Sequence, residues 1–349
     1  MCPVARRLLW ASLALAPLTL IVDAAVHPGD AVLFVLSAVA LVPLAWLIGE
    51  ATDHAAEHTG PRIGGLLNAS FGNAPELIIA LIAVADGLPN VVRGSVAGSI
   101  VSNILLVLGA ALVFGVDGAR IDRRSLWLQL ALVFAAVLLF LVPSIPGWHG
   151  DPDRHSLAVL SVAPAVVLLL AYIAVTTYQM RGTKPVEPTL ERAWSLRRAL
   201  VALGVATALT AAISEVLVHS LEEFAHAAHL SEFFISVVIV AIVGNAAEHG
   251  GAIVIARRGK MMLATEIAVS SSAQVGLLVV PAVTLLSFAF SEPLALAFRP
   301  VELLTMGTAA VVVALVVRDG RVQHSEGALL IGVYAAMVVV FGIVGDRGG

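Results

Sequence analysis

Two short stretches of the chain carry side chains able to do chemistry: Gly72-Asn73-Ala74-Pro75-Glu76 and Gly244-Asn245-Ala246-Ala247-Glu248-His249. Each sets a helix breaker, a carboxamide and a carboxylate inside an apolar segment long enough to cross a bilayer. A charge at that depth costs from about 3 to more than 10 kcal/mol, so it faces a partner, an ion or water. Two at matching places predict one shared site. Glu76 and Glu248 supply two negative charges, and Asn73 and Asn245 add neutral oxygens. Asn103, Gln274 and the hydroxyls of Ser99, Ser102, Ser270, Ser271 and Ser272 extend the set. Gly72 and Pro75 weaken the first helix and Gly244 the second. A helix broken at membrane depth offers carbonyl oxygens and half-helix ends to ions, provided it lines a cavity.

This set is all oxygen. It lacks the thiolates and paired imidazoles of zinc or copper sites, and Cys2 is the only cysteine. Two carboxylates balance a divalent ion, and amide, hydroxyl and backbone oxygens complete the roughly six to eight ligands of calcium, whereas magnesium resists losing its water. Burial disfavours a charged carboxylate, so protons compete with the cation for the same pair. That competition is a complete exchange mechanism with no bound cofactor and no separate proton path. His249 reads either as a proton-sensitive neighbour of Glu248 or as a packing residue. Gly64, Gly65, Gly94, Gly98, Gly250 and Gly251 read as packing or hinge positions. Glu50 and Glu215 fall at the inner and outer ends of two corresponding spans, as access or gating groups or as ordinary interfacial carboxylates. Glu57, Glu222 and Glu223 continue that pattern. His54, His58, His219, His226 and His229 beside them read as loop residues, and Asp151 and Asp153 as a solvated turn.

The elements that hold these groups follow from composition. The chain has 349 residues, 59% hydrophobic and only 13% charged, with mean hydropathy +0.98, against about a quarter charged in soluble domains. It is predicted to be an all-α integral membrane protein. At about 20 residues per crossing, about eleven spans use the whole length: 8–26, 31–53, 62–85, 91–114, 125–142, 157–178, 197–218, 231–255, 262–286, 300–317 and 325–344. The first also reads as a cleavable signal peptide. With the N-terminus cytoplasmic, Arg93, Arg154, Arg299 and Arg347 lie outside and the other sixteen of the twenty Lys and Arg lie inside. That bias fixes the orientation and puts the C-terminus outside. The partners expected are the lipid bilayer and transported cations, with no nucleic acid; assembly into a homo-oligomer is left open.

Residues 1–30 form an extra first helix, 31–178 a first set of five helices, 179–196 a cytoplasmic linker, and 197–349 a second set of five. Because five is odd, the second set enters from the opposite side, which is the inverted-repeat plan of many secondary transporters, with broken helices at the midplane. With an offset of 172, Gly72, Asn73, Ala74, Glu76, Ala80 and Gly87 fall on Gly244, Asn245, Ala246, Glu248, Ala252 and Gly259. After one deleted position, Ala97, Ser99, Asn103 and Leu106 fall on Ala268, Ser270, Gln274 and Leu277.

Gly-Gly-Leu-Leu-Asn-Ala-Ser-Phe-Gly-Asn-Ala-Pro-Glu-Leu from Gly64, Gly-Asn-Ala-Ala-Glu-His from Gly244 and Ser-Ser-Ser-Ala-Gln from Ser270 resemble the signature repeats of calcium/proton exchangers in the cation/calcium antiporter superfamily. The resemblance covers about residues 31 to 344. It implies ten core helices in two inverted halves plus an extra first helix, with Glu76 and Glu248 as shared calcium and proton sites. Asparagine follows glycine in both copies, which favours the proton-coupled branch over the sodium/calcium branch. The central loop departs from relatives with an acidic segment: Arg181, Lys184 and Arg192 face only Glu187 and Glu191. The compact chain reads as a bacterial inner-membrane protein.

The expected activity is exchange of cytoplasmic Ca2+ for H+ by alternating access. A Na+ or K+/H+ antiporter using the same site is the alternative. A passive channel suits a midplane ligand pair less well, and an enzyme lacks a metal-binding His-Glu motif or a serine with a base at membrane depth.

Overall fold

The computed structural model describes the backbone of residues 3–182 and 194–345, with side chains described outside residues 3–5, 60–66, 68–69 and 179–182. The linker charges, Gly64, Gly65 and Arg347 therefore lie outside the described side chains. The helices are α1 (Pro3–Ser12), α2 (Leu15–Val26), α3 (Asp30–Phe71), α4 (Ala74–Ala85), α5 (Pro89–Phe114), α6 (Arg123–Gly147) and α7 (His155–Gly182). After the linker come α8 (Leu196–His219), α9 (Leu221–Ala228), α10 (Glu232–Gly244), α11 (Ala246–Arg257), α12 (Met261–Ala289), α13 (Pro300–Val316) and α14 (His324–Gly345). Among the described residues, nine helices are long and apolar enough to cross a membrane, or ten if α9 and α10, bent by 108°, count as one span.

Three expectations need correcting. The second and third spans were read as separate helices with a reversal near residues 54–61, but α3 is continuous over 42 residues. At 1.5 Å per residue it measures about 63 Å along its axis, twice the hydrocarbon thickness. Gly60 and Pro61 signal a loop in the sequence, yet the helix runs through them, without a backbone donor at Pro61. The third predicted span is thus the end of α3 followed by the 12-residue α4. Second, four of the five histidines read as loop residues lie on helices: His54 and His58 on α3, His219 at the end of α8 and His226 on α9. His54 is buried and stacked 4.3 Å from Trp194, whose amide it accepts at 3.2 Å.

The two halves pack in corresponding ways. The end of α5 packs on α14, and the corresponding end of α12 packs on α7. The connections segregate likewise. The loop before α6 pairs with the loop before α14 through Gly118 N to Val322 O, 2.8 Å, and Val322 N to Ala119 O, 2.9 Å. The stretch before α13 bonds to the ends of α6 and α7 through Phe298 N to Ser144 Oγ and Leu296 N to Ser161 Oγ, both 2.9 Å. Arg120 and Arg321 therefore share one side, as the charge bias requires.

Asp153 is not simply solvated. It receives buried Arg93 on α5 at 2.6 Å and ties the loop after α6 to the core. Removing Asp153 takes from the buried guanidinium of Arg93 a counter-charge at 2.6 Å and leaves it Asn90 Oδ1 at 2.9 Å. Asp153→Ala is expected to destabilise the detergent-solubilised protein more than Arg93→Met with Asp153→Ala together, with a coupling of about 1 to 3 kcal/mol in a thermal-unfolding double-mutant cycle.

Candidate functional site

The two repeated stretches give the same local structure. The chain leaves helix at Gly72 and Asn73, and again at Asn245, and resumes one residue later. Asn73 sits at φ −100°, ψ 19° and Asn245 at φ −91°, ψ 15°, in the sparsely used bridge region common at active sites. Pro75 starts a half-helix rather than kinking one: it is at the second position of α4, where a missing N–H costs nothing. Glu76 and Glu248 are each the third residue of their half-helices. Both carboxylates therefore sit in a first turn, at the positive end of a helix dipole.

Polar pairs cross between the halves in symmetric fashion. Asn73 Nδ2 donates to Gln274 Oε1 at 2.7 Å, and Asn103 Nδ2 donates to Asn245 Oδ1 at 2.8 Å. These are mates under the offsets read from the sequence. Asn103 Nδ2 also donates to Ser271 Oγ at 3.1 Å, and Asn245 Nδ2 to Ser99 Oγ at 2.8 Å. His249 Nε2 donates to Asn103 Oδ1 at 3.1 Å, so His249 joins the amide network. Both broken helices are thereby clamped to α5 and α12 by side chains whose own hydrogen-bond capacity is largely used. Each clamping helix widens into π-helical turns beside its amide, at Ser102–Val107 in α5 and Val275–Val279 in α12, a distortion frequent at functional sites.

The carboxylates differ from the amides. Glu76 is buried, and neither of its oxygens has a hydrogen-bond donor; Glu248 Oε2 is likewise buried without one. The two glutamates lie close enough for the charge of one to act on the other. Gly244 faces Glu76: a Cβ there would stand 3.4 Å from Glu76 Cγ. A narrow cavity at this point is lined by Glu76, Ile79, Ser95, Val96, Ser99, Val240, Gly244 and Val275. Ser95 belongs to it although the sequence reading omitted it. Its signal was present, because Ser95, Ser99 and Asn103 are four apart on one face of α5. Among the described residues no three His, Cys, Asp or Glu gather into a metal-holding group, and the carboxylate in the lining of this cavity is that of Glu76.

Glu50 and Glu215 stand apart from that lining. Glu50 is paired with Arg6 at 2.8 Å and lies 3.7 Å from His54. Glu215 is exposed at the far end of α8, where His219 faces Asp86 at 3.8 Å. Glu222 and Glu223 are on the exposed face of α9.

Comparison with known proteins agrees with this architecture. The family described as sodium/calcium exchanger protein matches residues 30–181 and 198–343. The chain is 37% identical over 336 residues to the Ca(2+)/H(+) antiporter ChaA of Bacillus subtilis (strain 168), covering 92% of this chain and 95% of that one. It is 34% identical over 342 residues to a Ca(2+)/H(+) antiporter of Aphanothece halophytica, covering 90% and 91%. The solved structure of native YfkE superposes with a TM-score of 0.83 at 35% identity, covering 96% of this chain and 99% of that one. The H+/Ca2+ exchanger CAX shares the fold, with a TM-score of 0.73 at 17% identity over 99% and 94%. The chain belongs to the sodium/calcium exchanger protein family, a family of transporters and not of enzymes.

Proposed function

We propose that the protein is a Ca2+/H+ antiporter in which Glu76 and Glu248 bind either the cation or protons and carry them by alternating access. The observation that carries this reading is Glu76: a buried carboxylate without a donor, beside Gly244, at the crossing of two symmetric helix breaks. Buried polar atoms find a partner, and a proton or a divalent cation shared with Glu248 would supply one. The names of the relatives, Ca(2+)/H(+) antiporters, support the substrate pair. The amide network of Asn73, Gln274, Asn103 and Asn245 would hold the half-helices in register, with Gly72, Gly244, Ser99 and Ser271 lending backbone and hydroxyl oxygens. His249 would tie that network to Glu248, and Glu50 and Glu215 would stand at the two mouths. Residues 31–178 and 197–349 would move as the two inverted halves, in an inner membrane with the N-terminus cytoplasmic. Ca2+ would leave the cytoplasm as protons enter.

The test is Ca2+ uptake into inside-out vesicles under an acid-inside gradient, with a protonophore control and Na+ and K+ in parallel. Uptake that collapses with the protonophore is the expected result; proton release driven by Na+ or K+ without calcium movement would transfer the site to a monovalent antiporter. The pH dependence has a definite sign. Protonation removes the ligand, so apparent Ca2+ affinity falls as pH falls, by about tenfold per pH unit for each proton displaced. Isothermal binding in detergent at two pH values checks the slope, and a pH-independent affinity contradicts competition at one site.

A further inference from the structure

Buried serine and threonine side chains on these helices nearly all bond to a carbonyl one turn back, the habit of hydroxyls in membrane helices. Ser37, Thr52, Ser161 and Thr284 do so at 2.7, 2.7, 2.6 and 2.9 Å. Among the described residues, the buried Ser and Thr hydroxyls left without any partner are Thr210 and Ser214, both 0% exposed. They are four apart and share one face of α8, a helix that packs against α3 and α4.

The register of α8 against α4 gives that face a height. The two helices end together, with His219 facing Asp86 at 3.8 Å. At 1.5 Å per residue, Glu76 lies about 15 Å below Asp86 along α4, Thr210 about 14 Å below His219 along α8, and Ser214 about 8 Å. Thr210 is thus at about the height of Glu76 along the helices, and Ser214 about midway to the Asp86–His219 end. The pair is not a relic of the duplication either. The offset of 165 that carries Glu50 to Glu215 and His54 to His219 carries Ala45 to Thr210 and Gly49 to Ser214. Only this half bears hydroxyls at those positions.

We infer that Thr210 and Ser214 line the route between Glu76 and the solution at the Asp86–His219 mouth, their hydroxyls standing in for part of the hydration shell of a cation in transit. Orphaned buried hydroxyls are costly when dry and useful when a hydrated ion passes. The inference rests on Glu76 being the exchange carboxylate, and the test separates the two ideas.

Cys2 is the only cysteine, so Cys2→Ser gives a thiol-free background for Thr210→Cys, Ser214→Cys and the control Thr284→Cys, which is as buried but back-bonded. Ag+, an ion-sized thiol reagent, is added in nitrate medium to proteoliposomes from the Asp86–His219 side, and the residual thiol is titrated. Positions 210 and 214 should react at least about tenfold faster than 284, which is reachable only through local opening, and saturating Ca2+ should slow the reaction at 210. Rates at 210 and 214 no greater than at 284 overturn the inference. As a second measurement, Thr210→Val with Ser214→Ala should lower exchange about tenfold, as expected for two lost polar contacts, and Thr210→Ser should retain the wild-type rate. A Val/Ala variant at full rate also overturns it. Ag+ access does not depend on which ion is exchanged. If 210 and 214 react while no calcium moves, the proposed substrate fails and the route stands; if Glu76→Gln abolishes exchange while 210 and 214 stay unreactive, the reverse holds.

Discussion

Glu76→Gln is expected to reduce Ca2+-driven proton flux to about 1% of wild type or less while leaving membrane insertion and helical content unchanged, and Glu248→Gln to do the same. Glutamine keeps the volume and polarity of glutamate but can neither carry charge nor release a proton. With one carboxylate gone, a divalent cation bound as proposed would retain about one uncompensated charge in a buried site. Stripping one partner from a buried charge pair costs about 3 to 5 kcal/mol, which is about two to three and a half powers of ten in affinity. Fold should be spared, because neither oxygen of Glu76 and not Oε2 of Glu248 is engaged by a donor, so no network collapses with the charge. Asn103→Leu makes the contrast. It would strand Asn245, Ser271 and His249 together, and is expected to damage folding and flux alike. Reconstituted exchange measured beside circular dichroism separates the cases. Residual flux above about a tenth in either glutamine variant would show that the two acids do not act as one unit.

How far the sequence reached depends on which physical signal each element leaves. The two Asn-x-x-Glu breaks were legible because a polar residue in an apolar run has few explanations, and the structure gives both asparagines nearly the same backbone angles. The bonds of Asn73 to Gln274 and of Asn103 to Asn245 were not foreseen, although the offsets make each the counterpart of the other, because a repeat read from sequence says which residues correspond and not which ones touch. The continuity of α3 was not legible. Gly60 and Pro61 are locally the signature of a loop, and the helix nevertheless spans them. The π-helical turns also escaped, because a turn with one extra residue leaves the apolar pattern almost unchanged. His54 was misread for a related reason: its partner, Trp194, is 140 residues away, and no local pattern announces a ring stacked from the far side of a linker.

The second large effect concerns a glycine that touches no ion. A Cβ added at Gly98 would stand 1.9 Å from the carbonyl oxygen of Val237 and 2.7 Å from Cβ of Ala241. These are backbone and near-backbone atoms of α10, with no flexible side chain to yield. At this point α5 and α10 approach as closely as small residues allow, which is how membrane helices gain packing without a hydrophobic driving force. Gly98→Ala must push the two helices apart, and the strain sits in the upper part of the overpacking range, about 3 kcal/mol or more. The displacement would also reach function, because Ser95, Val96 and Ser99 of α5 and Val240 of α10 line the cavity around Glu76. Two neighbours calibrate the expectation. At Gly94 the added carbon would meet Ser236 Cβ at 3.1 Å, and at Gly244 it would meet Glu76 Cγ at 3.4 Å. Gly94→Ala is therefore expected to be mildly destabilising. Gly244→Ala should fold normally yet lose exchange, since its methyl occupies space beside the carboxylate. Thermal unfolding in detergent should rank stability as Gly98→Ala far below Gly94→Ala, and Gly94→Ala below Gly244→Ala. A wild-type melting temperature for Gly98→Ala would mean that α5 and α10 stand further apart than described, and with them the walls of the cavity that holds Glu76.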